Sequence, residues 1–570
     1  MKKLLLGDFA VARGAYEAGV RVATAYPGTP STEITEELSR YDDVYSEWSP
    51  NEKVAMEVAV GSSIHGARTI VSMKHVGLNV ASDPLFTAAY TGVNAGLVVA
   101  VADDPSMFSS QNEQDTRMIA RAANVPVIEP SDSQDAKDFT KFAFEVSEKY
   151  DTPVILRITT RVAHSQSMVE IRDREEVPVK PYEKNIAKYV MMPANAIKKH
   201  VVVEERLNKL SEDSNGFAIN KVEYKDKKLG IICAGGVYQY VKEALPDASV
   251  LKLGMVYPLP YKMIEEFVKN VERCVVVEEL EPHIEGLIKL HGIQVEGKNI
   301  FTRQGEFSVN LIKEKLSGEK TDAVPAQIPA RPPVLCAGCP HRGVFYTLKR
   351  LKVDVMGDIG CYTLGAVPPL AAIDATVCMG ASIGMAIGAD KADPEASKHT
   401  VAVIGDSTFI HSGITGLVDA VYNKANVTVI ILDNRTTGMT GHQNNPANGK
   451  TIKNEETYEL DLAKLSLAVG ADSVRTVDPY DLKEFEAAVK EELGRKGVSV
   501  IISKRPCVLL TKKSYKGFSV NKDVCKNCKA CMRLGCPAIN STEEGIKIDT
   551  SLCTECGLCQ KVCAFGAIQA

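Results

Sequence analysis

Four short apolar runs, at 22–26, 70–73, 97–102 and 154–158, fit buried strands, and segments of helix length separate them. That alternation predicts a parallel α/β domain over residues 1–180. From 181 to about 225 the chain turns Lys- and Glu-rich with weak periodicity, which reads as a linker. A second α/β unit follows within 181–330: an apolar run at 229–233, the turn Ala234-Gly235-Gly236, a helix to about Ala244, and strands near Val250 and Val275. It carries no obvious catalytic constellation. Pro325, Pro329, Pro332 and Pro333, in the segment 323–333, mark a further linker. A third α/β domain, 331–510, has strands near Val353, Val401, Val427 and Val500. The stretch 511–517 then leads into a tail, 511–570, too short for a core of its own.

Composition narrows this picture. A chain of 570 residues suits roughly three to five domains, and 45% hydrophobic with 24% charged residues is the balance of a globular protein rather than a disordered one. Net charge is −5, from 67 basic and 72 acidic residues, so the overall balance supplies no basic field for nucleic acid. The N-terminal run Leu4-Leu5-Leu6 stops at Gly7-Asp8, short of the ~7–15 residues of a secretory core. The longest apolar stretch, near 375–389 between Asp374 and Asp390, falls below the ~18 residues of a membrane span. The expectation is a cytoplasmic protein with neither a membrane nor a nucleic-acid partner.

Eight of the 15 cysteines lie between Cys525 and Cys563. A disulfide staple needs an oxidising compartment that no targeting segment supports, so metal ligation by thiolate is favoured. Cys525-x2-Cys528-x2-Cys531-x4-Cys536-Pro537 is followed by Cys553-x2-Cys556-x2-Cys559-x3-Cys563. Both runs fit the two-cluster ferredoxin template C-x2-C-x2-C-x3-C-P, in which the fourth cysteine of each run ligates the other cluster. Crossed ligation assigns one 4Fe-4S cluster to Cys525, Cys528, Cys531 and Cys563, and the other to Cys553, Cys556, Cys559 and Cys536. Two features depart from the template: the four-residue gap before Cys536, and Ala564 in place of the second proline. Zinc is the alternative, but two C-x2-C-x2-C triplets are hard to fit to four-ligand zinc. An electron-transfer role follows.

In the third domain the run 401–405 leads into Asp406-Ser407, and Asn434 ends the run 427–432. An aspartate and an amide at two strand ends converge at the carboxyl edge of a parallel sheet, where ligands bind. Hard oxygen donors there suit Mg2+ with a diphosphate; a strand-end Asp alone is more often a helix cap. Gly380-x3-Gly384-x3-Gly388 offers close backbone approach or helix packing, and Gly438-Met439-Thr440-Gly441-His442-Gln443 is a Gly-rich loop after the metal strand. Gly405-Asp406-Ser407 followed by Asp433-Asn434 resembles the thiamine diphosphate motif, GDG and then NN, with Ser407 and Asp433 as departures. The resemblance implies cofactor contacts at Gly405, Asp406, Ser407, Asn434, Thr436 and Gly438, with Mg2+ on Asp406, Asn434 and the Thr436 carbonyl.

Tyr26-Pro27-Gly28-Thr29-Pro30-Ser31-Thr32, Asn51-Glu52-Lys53 with Gly61 and Gly66 beyond, and Met73-Lys74-His75-Val76-Gly77 resemble the pyrimidine-binding domain of 2-oxoacid:ferredoxin oxidoreductases. With Cys336-Ala-Gly-Cys339-Pro340-His341-Arg342, Gly357-Asp358-Ile359-Gly360-Cys361 and the tail, nearly the whole chain is similar to the alpha subunits of the indolepyruvate type. The four-residue gap before Cys536 is itself like this family. The implied order is pyrimidine domain, transketolase C-terminal-like domain, diphosphate domain and a two-cluster ferredoxin-like α+β tail. The implied reaction is oxidative decarboxylation of an aryl pyruvate with coenzyme A, giving arylacetyl-CoA, CO2 and reduced ferredoxin. A smaller beta subunit would complete a hetero-oligomer.

Position matching places the carboxyl that activates the aminopyrimidine on Glu52, with Glu57 as the fallback and a solvated helix face as the bland reading. Thr29 would offer its hydroxyl to the 2-oxoacid carboxylate, or simply cap a helix. His75 could donate to developing charge, or be a structural histidine. Cys336, Cys339, Cys361 and Cys507 are similar to the ligands of a third cluster nearest thiamine, with buried packing as the alternative. Cys233, Cys274 and Cys378 show no such pattern and read as core. The alternatives are a pyruvate or 2-oxoglutarate:ferredoxin oxidoreductase subunit, or a non-catalytic iron–sulfur electron-transfer subunit, which Glu52, Asp406 and Asn434 argue against.

Overall fold

A computed structural model describes residues 1–320, 329, 332–511 and 515–569, in two compact units, Met1–Ala326 and Gln327–Ala570. The proline-rich linker at 323–333 lies largely, and the stretch 511–517 partly, outside the described residues.

In the first unit the apolar runs assemble into a seven-stranded sheet ordered Met255–Tyr257, Val127–Ile128, Val154–Thr159, Leu97–Asp103, Thr69–Lys74, Val22–Ala25, Tyr45–Trp48. Every pairing is parallel except that of the edge strand Met255–Tyr257. All residues of Leu97–Asp103, Thr69–Lys74 and Val154–Thr159 are buried, as a parallel sheet covered on both faces requires. Tyr45–Trp48 and Val127–Ile128 were not legible beforehand: the first is a four-residue edge strand with Ser46 and Glu47 at its centre, and the second is only two residues long.

A second, four-stranded sheet holds Arg273–Val277, Asp226–Ala234, Ala248–Leu253 and Lys221–Glu223. Its inner faces share a hydrophobic cluster with the larger sheet, in which Val99 and Val101 join Ile232, Leu251 and Val276. The expected linker at 181–225 is corrected here, because it contains the 22-residue helix Pro193–Ser214. Val203, Leu207 and Leu210, spaced four and three apart, bury one stripe of that helix, and Arg206 Nη1 donates to the Ala89 carbonyl at 2.7 Å. So narrow a stripe among charged residues leaves little periodic signal in the sequence.

The second unit centres on a five-stranded parallel sheet ordered Asp354–Met356, Thr400–Gly405, Val427–Asp433, Val498–Lys504, Ser473–Val477. The tail forms two short antiparallel pairs, Ser519–Val520 with Ile568–Gln569 and Ile539–Thr542 with Gly545–Ile548. Its small core is built from Phe518, Leu534, Ile539, Ile546 and Leu558 together with the cysteines, and Leu482 of the sheet domain joins it. The architecture is therefore α/β with parallel sheets plus a C-terminal α+β tail. Among the described residues no helix is long and apolar enough to cross a membrane.

Within the first unit Arg117, 2% exposed, ties residues before and after the long helix. Its guanidinium donates to Asp115 Oδ1 and Oδ2 at 2.9 and 2.7 Å, to Glu278 Oε2 at 2.9 Å and to the Glu279 carbonyl at 3.0 Å. Burial opposes ionisation of Asp115, but Arg117 and then Arg157 hold it well below the usual carboxylate range. Arg117→Met would leave two buried acids unpaired, so urea unfolding of the full chain should show a loss of roughly 3–5 kcal/mol. The double variant Arg117→Met/Glu278→Gln should recover part of it; a loss under about 1 kcal/mol would contradict this account.

Candidate active site

In the first unit three adjacent strands deliver their following residues to one sheet edge. Val22–Ala25 leads through Tyr26–Pro30 into the helix Thr32–Leu38, Thr69–Lys74 leads directly into His75–Val80, and Tyr45–Trp48 leads into Glu52–Ile64. The last helix starts at Asn51, whose Oδ1 accepts the Val54 N–H at 2.9 Å. This start turns Glu52 inward, 4% exposed. Gly77 makes room for it: a Cβ built there would stand 2.6 Å from Glu52 Oε1. The fallback, Glu57, is exposed and ion-paired with Lys53 on the outer face.

Thr29 is half-buried, and its carbonyl accepts Ser109 Oγ at 3.3 Å. His75 is fully buried with neither ring nitrogen in a hydrogen bond of ordinary geometry. Burial pushes its pKa down against the pull of Asp103. Sequence reasoning assigned nothing to Lys74, although a cation ending an apolar strand was a visible signal. Its Nζ donates to the Ser109 carbonyl at 2.7 Å, and burial, opposed by Asp104, lowers it to about 8.

In the second unit Asp406 and Asn434 follow the neighbouring strands Thr400–Gly405 and Val427–Asp433, which pair Gly405 with Leu432. Asp406, 2% exposed, accepts the Ser407 N–H at 2.7 Å and the Arg435 N–H at 2.9 Å. The left-handed backbone of Arg435, φ 64°, turns that N–H back toward it. Burial, aided by Asp433, pushes Asp406 up to about 8. Asn434 Oδ1 accepts the Thr436 N–H at 3.2 Å, and its Nδ2 lies 3.4 Å from His341 Nε2. Burial lowers His341 to about 4, so it offers a neutral acceptor. Thr437 and Ser407 hydroxyls meet at 3.0 Å, and a Cβ at Gly405 would strike the Tyr362 ring at 2.6 Å. No cation pairs with the Asp406 carboxylate among the described residues, and this oxygen-rich, buried set fits a hard divalent ion.

The cysteines at 336, 339, 361 and 507 are brought close enough to act on one another. Cys361 is pushed up to about 11 by burial and by Cys507 and Cys336; Cys339 is raised by burial, with contributions from Cys336 and Cys361. They adjoin the oxygen donors: Cys507 N–H donates to the Asn434 carbonyl at 2.9 Å, and a Cβ at Gly438 would sit 3.4 Å from Cys361 Sγ. Two expectations are corrected. Cys378 is exposed rather than core. In the glycine repeat Gly380 alone makes a close approach, its Cβ position lying 2.5 Å from Ser412 Cβ, while Gly384 and Gly388 have open space where a Cβ would point.

In the tail two cavities sort the eight cysteines into the crossed sets. One is lined by Cys536, Cys553, Cys556 and Cys559, and the Phe518 N–H approaches Cys553 Sγ at 3.4 Å. The other is lined by Cys525, Cys528, Cys531 and Cys563. Arg342, also unassigned by sequence, is 2% exposed and donates to the carbonyls of Leu335, Cys336, Leu534 and Gly535, fastening the tail to the sheet domain.

Family models match three segments: pyruvate flavodoxin/ferredoxin oxidoreductase, thiamine diphosphate-binding, at 13–218; thiamine pyrophosphate enzyme, C-terminal TPP-binding domain, at 358–503; and a 4Fe-4S binding domain at 546–569. Indolepyruvate oxidoreductase subunit IorA of Pyrococcus horikoshii is 42% identical, covering 100% of this chain and 97% of its own. The subunit of the same name from Archaeoglobus fulgidus is 41% identical over 100% of this chain and 97% of its own. The chain belongs to the indolepyruvate oxidoreductase subunit IorA family. As an IorA-family chain it is an enzyme of the 2-oxoacid:ferredoxin oxidoreductase class, with thiamine diphosphate-binding domains and an iron–sulfur domain.

Gly77→Ala should displace the Glu52 carboxyl. In this IorA-family chain the expected result is a fall in turnover of about 100-fold with unchanged visible absorbance of the iron–sulfur groups. Wild-type turnover would contradict the packing of Glu52 on Gly77.

Proposed function

We propose that the chain is the alpha subunit of an indolepyruvate:ferredoxin oxidoreductase, completed by a smaller beta subunit in a hetero-oligomer. The complex would convert an aryl pyruvate and coenzyme A into arylacetyl-CoA and CO2, with two electrons passing singly through 4Fe-4S clusters to ferredoxin. The observation that carries this reading is the sorting of eight tail cysteines around two cavities in a chain that also holds Glu52 and the Asp406–Asn434 pair at sheet edges. The aryl pyruvate substrate is supported by the name that the relatives bear, and coenzyme A by the resemblance of the motifs.

Thiamine diphosphate, when bound, supplies a nucleophilic carbon and a sink for the electrons of decarboxylation. The chain's own residues then divide the remaining work. Asp406, Asn434 and the Thr436 carbonyl would hold Mg2+ on the diphosphate, with Gly405, Ser407 and Gly438 lining the same cradle. Glu52 would hydrogen-bond the pyrimidine ring and hold a proton there. Thr29 would donate to the substrate carboxylate and His75 to the developing oxyanion. Cys553, Cys556, Cys559 and Cys536 would carry one cluster, and Cys525, Cys528, Cys531 and Cys563 the other. Cys336, Cys339, Cys361 and Cys507, beside Asn434 and Gly438, would carry a third.

Co-expression with the beta subunit and anaerobic assay against indolepyruvate, phenylpyruvate, pyruvate and 2-oxoglutarate tests this directly. Aryl substrates should lead, with ferredoxin reduced only when coenzyme A is present. Three clusters require about 12 iron atoms per chain and two require about 8. Glu52→Gln should lower turnover by roughly 100- to 10,000-fold without loss of iron. Preference for pyruvate or 2-oxoglutarate would overturn the substrate reading, and near-normal Glu52→Gln rates would remove Glu52 from the chemistry.

A further inference from the structure

Away from every group used above, three helices of the first unit bring Asp8, Glu33 and His164 together. Asp8 is the second residue of the helix Gly7–Glu17, Glu33 lies in the first turn of Thr32–Leu38, and His164 ends the short helix Thr160–His164. The close approach depends on Gly7, where a Cβ would stand 1.9 Å from the Val162 carbonyl oxygen, and the Gly7 N–H donates to the Ser165 carbonyl at 3.1 Å.

One ligand atom from each side chain lies within 4.8 Å of the others, and His164 Nε2 stands 3.8 Å from Glu33 Oε2. Asp8 is 0% exposed, makes no capping bond, and has both carboxylate oxygens without a hydrogen-bond partner. Glu33 Oε2 is likewise buried and unbonded. No Lys or Arg pairs with Asp8 among the described residues. Burial and then Glu33 hold Asp8 well above the usual carboxylate range, so two acids facing each other here are met either by a proton shared between them or by a cation placed among the three side chains. His164 keeps about a third of its side chain in solvent, which gives an ion a way in.

We propose that Asp8, Glu33 and His164 bind a divalent first-row transition-metal ion, of the Mn2+, Fe2+ or Zn2+ type. Two carboxylates and an imidazole form a donor set that suits such ions, and ligands at ~2.0–2.2 Å from one ion stand roughly 3–4.4 Å apart, so a small contraction closes the site. The ion pins the first turns of two helices and the end of a third, one of them the helix that follows the Thr29 loop. Its role is structural and separate from the Asp406–Asn434 pair.

Mn2+ serves as the probe, because thiolates bind it weakly. Full-length protein carrying its clusters, free of thiamine diphosphate, is titrated with Mn2+ while electron paramagnetic resonance counts free ion and reports nitrogen coupling on the bound ion. Wild type and Asp406→Asn should each bind one Mn2+ with imidazole nitrogen coupling. Asp8→Asn should lose that ion, with affinity down by more than about 100-fold, beyond the ~10–100-fold of outer-shell changes. His164→Ala, at the solvent side where folding is not at risk, should abolish the nitrogen coupling and weaken binding. Equal Mn2+ binding in wild type, Asp8→Asn and His164→Ala would overturn the proposal, as would no Mn2+ bound by wild type; either result would leave Asp8 and Glu33 sharing a proton.

Discussion

A buried acid beside the carboxyl edge of a parallel sheet, Asp406 after its strand and Glu52 at the start of a helix, is the constraint on which each candidate site depends. Asp406 sits 2% exposed at the carboxyl end of its strand with two backbone N–H donors and a second acid, Asp433, close enough to raise its pKa further. Two neutral donors do not offset the desolvation of a full charge. The environment therefore favours a cation at that position, and the oxygen atoms on hand select a hard one. Glu52 is buried to a similar degree, but the room around it is made by a missing side chain at Gly77. The roles proposed for them follow this difference: Asp406 would meet a cation, and Glu52 a hydrogen-bonding ring.

The same logic reversed governs the tail. Sixty residues cannot enclose a core, and here the cysteines themselves stand among Phe518, Leu534 and Leu558 where larger apolar side chains would otherwise pack. Arg342 carries a buried positive charge that meets backbone carbonyls and no carboxylate. Burial lowers its pKa, and the sulfurs of Cys536, Cys339, Cys336 and Cys556 counter this from both sides. Its five fixed N–H donors allow it to bind Leu335 and Cys336 on one side and Leu534 and Gly535 on the other, which the point charge of a lysine could not do.

How much of this was legible depends on whether a residue's role is local. The central strands announced themselves because a sheet covered on both faces needs unbroken apolar runs. Edge strands such as Tyr45–Trp48 and the buried stripe of Pro193–Ser214 did not, since partial burial leaves weak periodicity. The two crossed cysteine sets could be read from spacing, because cluster ligation constrains neighbours in sequence. Asp406 and Asn434 stood out by their place at two strand ends, whereas Glu52 could be read only with the help of a resemblance. His341, Arg342 and Arg435 were invisible in role, since each acts on residues many positions away or through a backbone angle. In the glycine repeat at 380–388 Gly380 meets Ser412 closely and Gly384 and Gly388 meet nothing, a difference that spacing cannot show.

Contacts between the oxygen donors and the sulfurs in the second unit have a chemical consequence. The Asn434 carbonyl is held by the Cys507 N–H, and Gly438 keeps the loop within van der Waals range of Cys361. A Cβ at 438 would not clash at 3.4 Å, so this glycine is not demanded by space there. What fixes the geometry is the hydrogen bond from 507 to 434, which joins the third residue after the strand Val498–Lys504 to the residue after its parallel neighbour Val427–Asp433. Two adjacent strand ends thus place a diphosphate-type donor set and a thiol one hydrogen bond apart. Since parallel strands in register hold their ends rigidly, a change that shifts Asn434 also shifts Cys507, and one structural element positions both.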